Sequence, residues 1–192
     1  YRWLDAHPEV RGSDPKETYV LMDLDHPLAV REDVGEILSR YESDISALGH
    51  FFPSGDDRIR FEATTHNFYQ DRAMELLSRI DPTPHVFFIM RQPSRRIRSS
   101  FLFTKHNRGR IKPSLTFNEY VEMLIKGDNS CLDSYYYSKV SLYVAKRELK
   151  LNKYGFWLKR WEEKLGSDRV HPIVFEQFAE SSRSIVEEIC DI

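Results

Sequence analysis

The sequence predicts an α/β protein with a mainly parallel central sheet flanked by helices. Three observations carry that expectation. Val86-Phe87-Phe88-Ile89-Met90 is an apolar run without polar alternation, the pattern of a strand covered on both faces. It stops at Arg91, and Pro93 two residues later suits the first turn of a helix, where a missing N–H costs nothing. Short β-forming runs then alternate with helix-period segments along the chain, which is the signature of an α/β fold.

In chain order, Tyr1 to Ala6 reads as helix, ended at His7-Pro8 because the residue before proline is pushed out of the helical region. Such a start, with neither Met nor a capping residue, suggests that more chain precedes Tyr1. Thr18 to Met22 reads as a short strand with Lys16 and Glu17 at its mouth. Val34, Ile37, Leu38, Tyr41 and Ile45 fall at helical spacing within residues 32–48. Arg58 to Glu62 is a weak strand, and Phe68 to Ile80 a helix closed by Asp81-Pro82. After the central strand, Thr116-Phe117-Asn118-Glu119 is a capping box, with Gly127 as the helix stop. Residues 132–149, with Tyr135, Tyr136 and Tyr137, read as one helix. Tyr154, Trp157, Leu158, Trp161 and Leu165 form an aromatic stripe whose first reading is core packing. Val170 to Phe175 is a last strand, irregular or at an edge because of Pro172, and a final helix covers Ile185 to Ile189.

Length and composition fit a single globular domain over residues 1–192, with 41% hydrophobic and 30% charged residues. The net charge of −2 argues against a general nucleic-acid binder. Charge is nevertheless segregated. From Pro82 to Leu115 there is no Asp or Glu, but Arg91, Arg95, Arg96, Arg98, Lys105, Arg108, Arg110 and Lys112 all occur. A basic segment in a slightly acidic chain points to a focused anionic ligand. Arg91 would sit at the carboxyl end of a strand and face a helix N-terminus, where α/β sheets bind anions. Gln92, Arg95, Arg96 and Ser99 fall on adjoining faces of that helix at three- and four-residue spacing, which suits a phosphate.

Other chemistries lack their motifs. There is no G-x-x-x-x-G-K-[ST] loop, dinucleotide fingerprint or G-x-S-x-G elbow. The histidines are scattered, and Cys131 and Cys190 fit no zinc or redox spacing, so no metal is expected. No apolar run approaches membrane-spanning length.

The order of segments resembles the PAPS-dependent sulfotransferases, in the branch spanning bacterial and carbohydrate (heparan-type) enzymes. Four features carry it: Leu4 to Pro8, which looks like the helix after that family's phosphosulfate loop; Lys16-Glu17; Arg91-x-Pro93 with Ser99 eight residues after the arginine; and Tyr154-x-x-x-Leu158-x-x-Trp161 followed by a strand to Phe175-Glu176. The resemblance implies a P-loop NTPase-like three-layer fold, with PAPS as donor of a sulfuryl group and no metal. Arg91 and Ser99 would hold the 3′-phosphate, Glu17 would be the catalytic base, and Lys16 would support charge on the transferring group. Each has a plainer reading: Glu17 as an exposed carboxylate and Lys16 as a surface lysine. The phosphosulfate loop would lie before Tyr1, and a C-terminal closing segment after Ile192. In Glu62-Ala63-Thr64-Thr65-His66-Asn67, Ala63 stands where the family has a lysine, and His66 is either an acceptor-site group or a structural histidine. Lys105, His106 and Arg108 are further acceptor-side candidates. The acceptor expected is a carbohydrate or small metabolite, without nucleic acid or a membrane span. The sparse cysteines favour the bacterial cytoplasm, and a Golgi luminal fragment would look much the same. Two rivals remain: a P-loop kinase-like phosphotransferase using Asp23 for Mg²⁺, and a non-enzymatic polyanion-binding module.

Overall fold

The structure is a computed structural model that describes residues 1–27, 45–127 and 129–192. The helix expected over 32–48 lies almost wholly outside these residues. The chain divides into two compact units: Tyr1–Ile89 with Trp157–Ile192, and Met90–Phe156.

In the first unit, α1 (Arg2–Asp5) leads into β1 (Val10–Gly12), which pairs in parallel with β2 (Ile59–Phe61), Val10 opposite Ile59 and Gly12 opposite Phe61. A 3-10 segment, Ile45–Phe51, lies between them in sequence. Gly12 meets the Tyr1 ring and the Asp5 carboxylate so closely that a β-carbon there has no room. The helix α2 (Asp71–Leu77) buries Ala73, Met74 and Leu76. β3 (Val86–Met90) pairs with β4 (Val170–Val174), and α7 (Phe175–Glu180) and α8 (Ser182–Cys190) close the chain. The aromatic stripe of α6 (Tyr154–Leu165) is core, as its spacing indicates: Trp157, Trp161 and Leu165 are buried. The Trp161 ring lies 5.0 Å from that of Phe88, and its indole N–H donates to the Phe68 carbonyl at 3.0 Å, so the one polar atom of the ring is satisfied.

In the second unit, α3 (Pro93–Leu102) begins on Pro93 and turns Ile97 and Phe101 inward. It runs on as a π-helical turn over Phe103–Asn107. The capping box of α4 (Phe117–Lys126) forms as expected. The Thr116 hydroxyl accepts from the Glu119 N–H, the Glu119 carboxylate accepts from the Thr116 N–H, and Gly127 ends the helix in the left-handed region at φ 71°. Phe101, Ile111, Leu115, Tyr120, Leu124, Leu132 and Ala145 form the core of this unit.

The α/β class and the parallel pairing agree with the expectation, and four expected elements differ from it. The helix read from Phe68 to Ile80 begins only at Asp71, after a 3-10 turn (Asn67–Tyr69) and an extended Gln70. Thr18 to Met22 is not a strand: Tyr19 has φ 57°, which breaks extended backbone. Residues 132–149 are not one helix either. A 3-10 turn (Cys131–Ser134) is followed by an isolated antiparallel bridge of Tyr136 with Ile111, and α5 starts afresh at Lys139–Leu151, where Ser138 accepts from the Ser141 N–H. The β3 strand is less covered than its apolar run suggests, with Ile89 52% exposed.

Candidate functional site

Arg91 follows the last residue of β3, and Gln92 caps α3 in non-helical conformation. The backbone here is pinned from α6, whose Tyr154 phenol donates to the Arg91 carbonyl at 3.0 Å. Arg91 is half-buried, while Ser99 and Arg95 on α3 are exposed. The four arginines of this stretch therefore have different environments. Arg96 is turned inward: its guanidinium lies 2.9 Å from the Glu148 carboxylate and donates at 3.1 Å to the Asn152 side chain. Glu148 is 1% exposed, and burial raises its pKa while Arg96 and the Asn152, Tyr120 and Ser100 side chains pull it down. Burial likewise raises the neighbouring Tyr120 and Tyr136 phenols. This inward pair accounts for one cation of the basic segment. A second is accounted for by Lys105, whose ammonium donates to the carbonyls of Pro113 at 2.8 Å and Leu115 at 2.6 Å and so straps the π-turn to the following loop. His106 is exposed, and exposed Arg108 covers the Phe103 ring at 5.2 Å.

In the first unit, Lys16 is exposed, with its ammonium 5.9 Å from the Tyr1 ring centre. Glu17 is half-buried, and its Oε2 accepts from the Tyr19 phenol at 2.6 Å. Glu62, at the end of β2, is a hub. Its Oε1 accepts from the Thr18 N–H at 3.2 Å, from the Thr18 hydroxyl at 3.1 Å and from the Thr64 hydroxyl; its Oε2 accepts from the Asn67 side chain at 2.7 Å. The His66 ring lies 5.5 Å from that of buried His26, and its carbonyl accepts from the Gln70 side chain at 3.2 Å. Asp23 is engaged as a helix cap: its carboxylate accepts from the N–H groups of Asp71 at 3.3 Å and Arg72 at 2.7 Å. Burial raises its pKa against those two bonds. Among the described residues no group of three or more His, Cys, Asp or Glu side chains is placed to hold a metal ion, and no helix is long and apolar enough to cross a membrane.

Tyr19, Glu62 and Tyr154 are the polar residues that pattern reading missed as parts of a site. Glu62 and Tyr154 stood inside motifs, but nothing in their spacing tells which backbone groups they bind.

The fold that carries these residues is a sulfotransferase fold, a P-loop-like α/β architecture. The chain is similar to the crystal structure of a sulfotransferase from Alicyclobacillus acidocaldarius, with a TM-score of 0.71 and 20% identity over 99% of this chain and 72% of that one. No family model and no curated protein matches the sequence.

Proposed function

We propose that this protein is a sulfotransferase that moves a sulfuryl group from PAPS to an acceptor hydroxyl. One observation carries the reading: on a sulfotransferase fold, Arg91-x-Pro93 stands at the end of β3 and opens α3, with a hydroxyl at Ser99 and no acidic residue from Pro82 to Leu115. The donor set fits a phosphate dianion. A half-buried arginine with its backbone pinned supplies bidentate charge-assisted bonds, the exposed Ser99 supplies a hydroxyl, and the first-turn N–H groups of a ten-residue helix supply dipoles of the right sign.

When bound, PAPS supplies the activated sulfuryl group and PAP as its leaving group. The residues of the chain bind and move protons. Arg91 and Ser99 hold the 3′-phosphate. Glu17 takes the proton of the acceptor hydroxyl as its oxygen bonds to sulfur and the bond from sulfur to PAP breaks. Lys16 supports negative charge on the group in flight. As in phosphoryl transfer, positioning and charge stabilisation carry most of the rate. The acceptor is a carbohydrate or small-metabolite hydroxyl, and the single domain works in a soluble compartment, with the bacterial cytoplasm favoured. A kinase-like reading is weakened by Asp23, because both its carboxylate oxygens already serve as the cap of α2. A polyanion-binding module is weakened by Arg96 and Lys105, whose charges are spent within the fold.

The test is transfer of radiolabelled sulfate from PAPS to a panel of sugar and phenolic hydroxyls by the full-length protein, with Glu17→Gln beside it. Transfer by the wild type that falls by roughly 10²-fold or more in the variant is expected of a general base. Equal rates for the two proteins would remove Glu17 from the reaction.

A further inference from the structure

Among the described residues, Tyr19 is the one non-glycine residue with positive φ, at 57°. A side chain with a β-carbon is strained there, and such strain persists only where the surroundings impose it. Here they are specific. The Tyr19 N–H donates to the Thr64 hydroxyl oxygen at 3.3 Å; that hydroxyl donates to Glu62 Oε1; and the same oxygen takes both the N–H and the hydroxyl of Thr18. Thr18 and Thr64 are buried, at 1% and 6% exposure. Asn67 holds the other oxygen of Glu62. The carboxylate at the end of β2 thus fixes the backbone of residues 18 and 19 in a bend.

The bend has a chemical consequence. In an extended strand Glu17 and Tyr19 would run side by side, roughly 7 Å apart. In the bend the phenol turns back and donates to Glu17 Oε2 at 2.6 Å, the length of a charge-assisted bond. One oxygen of Glu17 is then occupied and the carboxylate is held from one side.

We propose that Tyr19 is a positioning residue for Glu17, held in its left-handed backbone by the Thr64–Glu62 relay. The role assigned to Glu17 rests on the proposed transfer reaction; the coupling of the two side chains does not. The effect on rate comes from orientation, so truncating the phenol costs about tenfold in turnover and leaves donor affinity alone.

The experiment uses full-length protein labelled with [¹³C]glutamate and compares wild type, Tyr19→Phe, Tyr19→Asn and Thr64→Val by NMR, thermal melting and PAPS turnover. Asparagine tolerates the left-handed region, so Tyr19→Asn removes the phenol and spares the bend. The expected result is a Glu17 side-chain resonance that shifts and averages in all three variants. With it, kcat falls about tenfold and KM for PAPS is unchanged. A Glu17 resonance identical to wild type in both Tyr19 variants overturns the proposal, as does a mobilised Glu17 with unchanged kcat. A protein that fails to bind PAP while Tyr19→Phe still frees Glu17 supports the coupling and sinks the transfer reading instead.

Discussion

Removing the Arg96 side chain is a sharp test of how α3 is built. The Arg96 side chain is 21% exposed and pairs with a Glu148 side chain that is 1% exposed, so Arg96→Ala leaves Glu148 buried without its cation. Breaking a buried pair from one side costs roughly 3–5 kcal/mol. Arg96 retains some contact with water, which places the expected loss near the lower end, about 3 kcal/mol. For a domain of this length that corresponds to a fall in Tm of roughly 6–12 °C. The pH dependence has a definite sign. Burial already raises the pKa of Glu148 and Arg96 lowers it, so in the variant the folded state holds its proton more tightly than the unfolded chain. The added penalty is therefore small below the unfolded carboxylate pKa and grows as pH rises through the folded value. Replacing both partners, as Arg96→Met with Glu148→Leu, recovers most of the loss because no buried charge is left. Melting followed by circular dichroism from acid to neutral pH measures all three. An Arg96→Ala Tm equal to wild type, a penalty that shrinks with rising pH, or a double variant as unstable as the single one would show that Arg96 does not offset a buried Glu148 charge. Because Arg96 is spent on Glu148, folded Arg96→Ala also keeps wild-type affinity for PAP.

Trp161→Phe loses indole volume and leaves the Phe68 carbonyl without its donor, so chemical denaturation should show a loss of about 2–3 kcal/mol with an unchanged m-value. At the start of β3 and β4, Arg169 lies 2.6 Å from His85 Nε2, and His85 Nδ1 lies 2.8 Å from His171 Nε2. With Arg169 donating, both rings must be neutral to complete that chain. Burial and then His85 hold the His171 pKa below its usual value, Arg169 acts in the same direction and Asp168 opposes them. The unfolded state therefore binds more protons on acidification, and the stability from this chain, complete above the ordinary histidine pKa, is lost as pH falls through the folded one. His171→Asn should flatten that slope in melts between pH 5 and about 8. Lys105→Met removes the strap to Pro113 and Leu115, and amide exchange should quicken across residues 103–115 without quickening in α4.

Much of the architecture was legible because local signals and tertiary structure agree. The apolar run Val86–Met90, Pro93 at the start of α3, the Thr116–Glu119 box and Gly127 each state a backbone requirement in one or two residues. The failures occur where distant groups decide. Tyr19 has strand propensity, yet Thr64 and Glu62, more than forty residues away, bend its backbone. Tyr135 to Tyr137 were consistent with a helix until the bridge to Ile111 offered their backbone other partners, with the Lys112 N–H donating to Tyr135 and the Tyr137 N–H donating to Arg110. β1 is three residues long and exists because Val10 to Gly12 find β2, which no local pattern announces. The candidate site divides in the same way. Arg91 and Ser99 were visible as spacing, whereas the inward turn of Arg96 depends on Glu148.

Calorimetric titration of PAP into the full-length protein, with Arg91→Ala and Arg95→Ala alongside, asks whether Arg91 anchors a nucleotide 3′-phosphate. Loss of a bidentate charge-assisted contact predicts about 10- to 100-fold weaker binding for Arg91→Ala. Arg95→Ala should stay close to wild type, and metal chelation should leave all three unchanged. Folded protein that does not bind PAP, or that loses affinity equally in both variants, would take that role from Arg91.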